Sequence, residues 1–200
     1  ANVSVDHDLV ASAYSTYTGE PAITCILGTG SNSCYFDGTS VSEEVPALAY
    51  VLGDEGSASF IGKRLVSDFL YKKLPTEMAE DFFATYQLDK DEIITSVYNK
   101  PNANVYLASF SRFAGKHMEK DYVKTIVREG FAKFADIHIA CFENCHEVPV
   151  HFVGSVGAIF QDILKEVLEE RNMRLGQIMR KPVDGLIKYH LEYLQILEAY

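Results

Sequence analysis

The stretch of this chain that decides the fold is a turn rich in glycine and hydroxyl groups, Leu27-Gly28-Thr29-Gly30-Ser31-Asn32. An apolar run at 22–27 precedes it, and a second strand-like segment at 32–37 follows it. This order predicts a hairpin whose backbone N–H groups and hydroxyls can wrap a phosphate. We expect Gly28 and Gly30 to allow positive φ and a close approach of the backbone to a ligand. Taken alone, such a turn indicates only a tight hairpin.

A second turn follows within one short connection and reads Leu52-Gly53-Asp54-Glu55-Gly56-Ser57. Glycines bracket its two carboxylates, and an amphipathic helix is predicted from residue 57 to 74. On their own, Asp54 and Glu55 could simply cap that helix. The pairing of the two turns nevertheless favours a phosphate-binding loop over a plain hairpin.

The remaining pattern predicts an α/β fold with a helical block in its middle. The block covers about 75–145, and its longest helix, at 121–142, is expected to be interrupted at Gly130. A buried strand is expected at 148–153 because its apolar run is continuous. The other predicted elements are a helix at 8–17, a strand at 48–52, a helix at 158–171, a strand at 175–179 and a last helix that Pro182 opens.

Composition excludes several classes of function. The formal net charge is −10, which argues against nucleic acid because phosphate backbones need a basic face. No apolar run is long enough to span a bilayer, so no membrane partner is expected. The chain has four cysteines in apolar settings, which favours a reducing compartment such as the cytoplasm over a secreted scaffold.

A cluster of sulfur and imidazole groups in the second half of the chain raises the question of a metal. Such groups could bind zinc, but cysteine and histidine are also common core residues, and the surrounding sequence is that of a buried helix and strand. We therefore predict no metal site here. The cluster comprises His138, Cys141, Cys145, His146 and His151.

Several motifs resemble those of the BadF/BadG-type ATPase and N-acetylglucosamine kinase family, within the actin-like ATPase and sugar kinase superfamily. Besides the two turns, these are an Asp-led helix at 5–13, a loop at 151–157 and a closing helix at 181–186. The resemblance spans nearly the whole chain. It implies a ribonuclease H-like α/β domain with a mixed central sheet and the helical block as an insertion.

The resemblance implies ATP-dependent phosphorylation of an amino sugar, most directly N-acetylglucosamine to its 6-phosphate, with ATP and Mg²⁺ as cofactors. Gly154 is then expected to let the nucleotide approach, so that Gly154→Val would weaken nucleotide binding and leave the fold intact. The implied site comprises Asp8 as catalytic residue, Gly28, Thr29 and Gly30 for phosphate, Ser31, Asn32 and Asp54 for the sugar, and Gly154, Ser155 and Gly157 for the nucleotide.

Asp8 is the candidate base because it begins a helix, where the dipole favours an ionised carboxylate that can accept a hydroxyl proton. An N-cap role is the alternative. Asp6 competes for the same role, and the resemblance favours Asp8 because a helix of small residues follows it.

The chain departs from the family pattern in two places. Residues 45–51 replace a stretch similar to Gly-Gly-Trp-Gly, and Tyr50 could substitute for its aromatic ring. Nothing matches the Asp-Gly-Gly-Thr segment that binds phosphate, which implies a missing N-terminal lobe as the partner of this chain. A homodimer stays open.

Two other functions stay open beside the kinase. One is an ATP-hydrolysing activator of a radical dehydratase, which would bridge an iron–sulfur cluster through its cysteines. The other is a non-catalytic nucleotide-binding regulator.

Overall fold

The computed structural model describes residues 8–194, with side chains described as far as residue 192. Its centre is a five-stranded sheet in the order β3-β2-β1-β4-β5. The first three strands pair antiparallel, and β1, β4 and β5 pair parallel. This arrangement confirms the predicted mixed sheet. The strands are β1 Ala22–Leu27, β2 Ser31–Phe36, β3 Val41–Ser42, β4 Pro149–Val153 and β5 Arg174–Met179.

The helices fall into three groups along the chain. One precedes β1, α1 Asp8–Thr16. Between β3 and β4 lie α2 Ala49–Leu52, α3 Ala58–Leu70, α4 Thr76–Tyr86, α5 Lys90–Ile94, α6 Ala103–Ser109, α7 Ser111–Lys116 and α8 Asp121–Phe134, with π-helical turns at Thr95–Asn99 and Ala135–Ile139. After β4 come α9 Ser155–Ile159, α10 Gln161–Glu169, α11 Val183–Tyr189 and a π-helical turn at His190–Leu194. The helical insertion is therefore confirmed.

Helices cover both faces of the sheet. On one face, α3, α8 and α10 share a hydrophobic core with β1 and β4, built around large aromatic side chains that include Phe131, Phe134 and Phe152. On the other face, α1 and α11 form a smaller cluster in which Tyr189 stacks on Tyr14 with ring centroids 4.4 Å apart. No helix among residues 8–194 is long and apolar enough to cross a membrane.

Strand register places two loops at one edge of the sheet. Leu27 pairs with Ser31 across the β1–β2 hairpin, and Ile26 pairs with Val153 of the parallel strand β4. The carboxyl ends of β1 and β4 therefore lie side by side. Ligands of α/β sheets bind at such an edge.

The strand predicted at 48–52 is wrong, because these residues form the short helix α2. Leu48, Val51 and Leu52 stay exposed instead of facing a second layer. Ala49 moreover has φ of 57°, which no strand residue adopts. The apolar run in this segment therefore does not reflect burial in a sheet.

The predicted break at Gly130 is also wrong, since α8 continues through it. A Cβ atom at this position would lie 2.9 Å from the Phe60 ring and 3.0 Å from the Cα atom of Gly56. The glycine thus permits close packing between α8 and the second turn. The helix predicted at 158–171 is likewise divided, because α9 ends at Ile159 and α10 begins at Gln161.

His151 on β4 should make the protein sensitive to acid. The residue is 2% exposed, and its Nδ1 accepts a hydrogen bond from the Gln177 N–H at 2.8 Å. Burial lowers its pKa to about 4, although Glu20 acts in the opposite direction. In the unfolded chain the histidine takes up a proton near pH 6.5. The contribution of the neutral, buried His151 to the free energy of unfolding is therefore fully present above that pH and is lost as the pH falls towards 4.

We expect His151 to account for a loss of about 2 kcal/mol in the free energy of unfolding between pH 7.5 and pH 5. In His151→Asn, whose amide oxygen can replace Nδ1 as acceptor, this loss should be absent. Urea denaturation at both pH values measures it, with the exposed His146→Asn as the matched control. Equal pH dependence in wild type and His151→Asn would contradict the assignment.

Candidate functional site

The first turn is joined to the start of α3. The Ala58 N–H donates to the Gly28 carbonyl at 2.8 Å, and the Ser59 N–H donates to the Thr29 carbonyl at 3.1 Å. No hydrogen bond to another described residue occupies the N–H groups of Thr29 and Gly30. The turn therefore presents two free donors at the sheet edge, as an anion site requires.

Gly28 and Gly30 do not have the positive φ that the sequence suggested. Gly30 is required for space instead, because a Cβ atom there would lie 2.9 Å from Asp54 Oδ1. A Cβ atom at Gly28 would meet no neighbour closer than 4.0 Å, so a side chain would fit there. The positive φ angles lie in the second turn instead, where Asp54 has φ of 58° and Gly56 has φ of 69°.

Asp54 connects the second turn to the first. Its Oδ1 accepts a hydrogen bond from the Ser31 N–H at 3.2 Å, and the residue is 9% exposed. Burial raises the pKa of the carboxyl, which the Ser31 N–H partly offsets. The capping alternative for Asp54 is wrong, because Ser57 caps α3 by accepting from the Phe60 N–H at 3.1 Å.

The two neighbouring candidates on β2 differ in what they offer. The Ser31 hydroxyl is buried, and no described group bonds to it. The Asn32 side chain instead donates from Nδ2 to Glu43 Oε2 at 3.3 Å and accepts from the Ser33 N–H at 2.9 Å. A buried hydroxyl without a partner is costly, and a ligand oxygen at this edge could satisfy it.

The loop after β4 packs directly against the first turn. Gly154 has φ of 129°, and a Cβ atom there would lie 2.2 Å from the Leu27 carbonyl oxygen. The Gly154 backbone therefore packs directly against the end of β1 and the start of the first turn. Ser155 begins α9 and is exposed. A Cβ atom at Gly157 would make only ordinary contacts, the nearest 3.6 Å away, so this glycine is not required for space.

A cavity of about 520 Å³ lies at the far end of α9. Its volume is within the usual range for small-molecule pockets. It combines apolar and charged side chains from α8, α9 and α10, among them Asp121, Lys124, Arg128, Ile159, Phe160 and Asp162. The loop at Gly154–Gly157 thus lies between the first turn and a cavity of suitable size for a small molecule.

Asp8 begins α1 on the sheet face that also carries Asn32. The Cys34 thiol donates to the Leu9 carbonyl at 3.9 Å, and Cys34 lies two residues after Asn32, on the same side of β2. Asp8 itself is exposed, and the structure shows it in no hydrogen bond or ion pair with another described residue. The competing Asp6 lies outside the described residues.

Sequence reasoning missed one long-range contact. His138, on the π-helical turn after α8, places Nε2 3.3 Å from Glu55 Oε2. Its carbonyl accepts from the Ser33 hydroxyl at 2.6 Å. The only local signal was a histidine within an apolar helical segment, which we interpreted as a core residue.

Three of the four cysteines, Cys25, Cys34 and Cys145, are buried, and Cys141 is partly buried. Cys25 and Cys34 are fully buried, and burial raises the pKa of the Cys34 thiol to about 12. Within residues 8–194, no three histidine, cysteine, aspartate or glutamate side chains are grouped to hold a metal ion.

Comparison with known proteins gives relatives among solved structures. No protein-family model and no curated protein matches the chain. A structure named "Putative N-acetylglucosamine Kinase" from Porphyromonas gingivalis matches with 36% identity and a TM-score of 0.89, covering 94% of this chain and 66% of that one. The chain therefore spans less than two thirds of this relative.

Two more distant structures share the fold alone. A second "Putative N-acetylglucosamine Kinase", from Chromobacterium violaceum, has 18% identity and a TM-score of 0.69, over 90% of this chain and 62% of that one. A ROK family glucokinase from Streptomyces griseus, in complex with glucose and AMPPNP, has 14% identity and a TM-score of 0.50, covering 96% of this chain and 68% of that one.

The resemblance to sugar kinases with the actin-like ATPase fold is thus confirmed. Within that class, the relative at 36% identity carries the name of an N-acetylglucosamine kinase. The BadF/BadG type is not named by these structures.

Proposed function

We propose that the protein to which this chain belongs phosphorylates an amino sugar with ATP, most directly N-acetylglucosamine to its 6-phosphate, in the cytoplasm. The observation that carries this proposal is the contact between the two turns. Asp54, a buried acceptor for sugar hydroxyls, is held by the Ser31 N–H immediately beside the free N–H groups of the phosphate turn. Sugar and phosphate would therefore meet at one edge of the sheet.

The remaining roles follow from position. Thr29 and Gly30 would hold phosphate oxygens through their N–H groups, and the Ser31 hydroxyl would face the sugar. The adenosine side would lie along Gly154–Gly157, with its base in the cavity at the end of α9. When bound, ATP with Mg²⁺ supplies the phosphoryl group and offsets its charge.

Asp8 would accept the proton of the reacting hydroxyl. It is exposed at the first turn of α1, where its carboxylate is accessible to a ligand. Its place on the sheet face of Asn32 supports this role. An N-terminal lobe carrying the Asp-Gly-Gly-Thr segment is part of the same proposal, and it would complete the phosphate site.

The burial of Cys25 and Cys34, the two cysteines nearest the first turn, favours the kinase over the dehydratase activator. A bridging iron–sulfur cluster needs thiolates at an exposed surface. Cys25 and Cys34 flank the phosphate turn, yet both are fully buried within strands. A non-catalytic regulator would bind nucleotide without phosphorylating a sugar, so an assay of ADP release distinguishes it from the kinase.

Asp54→Asn tests whether the buried carboxylate between the two turns binds the sugar. Asparagine tolerates the left-handed backbone at this position and keeps an acceptor for the Ser31 N–H, but it lacks the charge. A hydrogen bond to a charged group is worth about 1.5–3 kcal/mol, so the KM for the sugar should rise roughly 10- to 100-fold, with the KM for ATP little changed. Steady-state kinetics on the full-length native protein measure both constants.

Asp89→Asn is the matched control, because Asp89 caps α5 through the Glu92 N–H and lies outside the site. It should leave the KM for the sugar unchanged. Equal effects of Asp54→Asn on both substrates would contradict the sugar-binding role.

A further inference from the structure

A buried histidine lies behind the second turn. His138 is 3% exposed, and its ring stacks on Phe134 with centroids 5.0 Å apart and planes 20° apart. This packing fixes the direction of the ring. Its Nε2 atom lies 3.3 Å from Oε2 of Glu55, the residue that follows the proposed sugar acceptor Asp54.

The element that carries His138 is itself held against the site. The His138 carbonyl accepts from Ser33, two residues beyond Ser31 on β2. About two turns earlier, on α8, Gly130 lies so close to Gly56 that a Cβ atom on either glycine would crowd the other segment. The position of the histidine relative to the second turn is therefore fixed from two directions.

The second nitrogen of the ring points to a role beyond packing. Because a carboxylate can only accept, Nε2 carries a proton and donates to Glu55, and Nδ1 is buried without a partner among the described residues. A buried polar atom without a partner is destabilising. An apolar side chain at this position would avoid that cost.

Glu55 remains partly open on its other side. Its side chain is 16% exposed, compared with 4% for His138, and no other described side chain bonds to its carboxylate. With Asp54, it forms a pair of adjacent carboxylates beside the phosphate turn. Two acceptors of this kind can fix neighbouring hydroxyls of one sugar ring.

From this geometry we infer that Glu55 is a second acceptor for the sugar hydroxyls and that His138 is the positioning residue that orients it. The inference rests on the proposed function and extends it, since it assigns a role to the helical insertion. In this view the insertion orients Glu55 in the sugar site through His138 and has no separate activity.

Calorimetric titration of the full-length native protein with N-acetylglucosamine tests the pair by binding alone. His138→Leu should raise the Kd about tenfold, the effect of losing one hydrogen bond to a charged group. His138→Gln, whose amide nitrogen can replace Nε2 as donor, should restore binding to within about threefold of wild type. His146→Leu, at an exposed histidine nearby, should leave the Kd unchanged.

A double-mutant cycle separates positioning from general stability. Glu55→Gln should raise the Kd at least tenfold, and adding His138→Leu to it should change the Kd little further, because the second residue acts through the first. If His138→Leu folds poorly, Glu55→Gln alone still tests the sugar contact. Additive effects, or full affinity in Glu55→Gln, would overturn the inference. If wild type binds no sugar at all, the proposed function fails and this inference fails with it.

Discussion

Asp8→Asn in the full-length native protein is expected to lower kcat by about 10²–10⁴-fold while the affinity for the sugar is largely kept. Asparagine preserves the shape of the side chain but cannot accept the hydroxyl proton, and general base catalysis is typically worth that factor. Steady-state kinetics give kcat, and titration with the sugar gives the Kd. Asp8 is exposed, so the fold should not be affected.

Asp184→Asn is the matched control, because Asp184 lies in the first turn of α11 and is exposed, as Asp8 is in α1. It should leave kcat unchanged, and Asp6→Asn should have a much smaller effect than Asp8→Asn. Abolition of turnover by Asp6→Asn, with Asp8→Asn active, would show that the base is assigned to the wrong aspartate.

Gly154→Ala is expected to destabilise the fold by about 3 kcal/mol or more. Its backbone, with φ of 129° and ψ of 164°, is in a region that glycine alone adopts readily, at a cost of roughly 1–3 kcal/mol for other residues. The new Cβ atom would also lie 2.2 Å from the Leu27 carbonyl oxygen, which forces the ends of β4 and β1 apart. Urea denaturation of wild type and variant measures the loss.

Gly157→Ala serves as the control three residues along, where a Cβ atom meets only ordinary contacts at 3.6–3.7 Å. It should cost less than about 1 kcal/mol. The structure thus corrects the expectation that a side chain at Gly154 would affect nucleotide binding alone. Wild-type stability in Gly154→Ala would contradict the close strand contact.

The strands were predictable from the sequence where local pattern and burial agree. The apolar run at 22–27 coincides with β1, and the continuous run at 148–153 contains the fully buried β4. The run at 48–52 is similarly apolar but remains at the surface, so an apolar run alone does not identify a strand there. The helix break predicted at Gly130 is absent because this glycine serves a tertiary contact with Gly56, which the local sequence does not show.

The site was predictable as a set of motifs but not as a set of contacts. Adjacent glycines and carboxylates indicated two turns, and the structure brings both to one edge of the sheet. Nothing local shows that Asp54 bonds to Ser31, or that Glu55 meets a histidine 83 positions later. Such pairings depend on how the helical insertion folds back on the sheet, which periodicity does not specify.

ADP release by the full-length native protein, measured with ATP, Mg²⁺ and a panel of sugars, tests the central claim most directly. We expect release that depends on the sugar, with higher kcat/KM for N-acetylglucosamine than for glucose or N-acetylmannosamine, and a 6-phosphate as product. ATP hydrolysis without dependence on any sugar would contradict the kinase in favour of an activator. Nucleotide binding without turnover would contradict it in favour of a regulator.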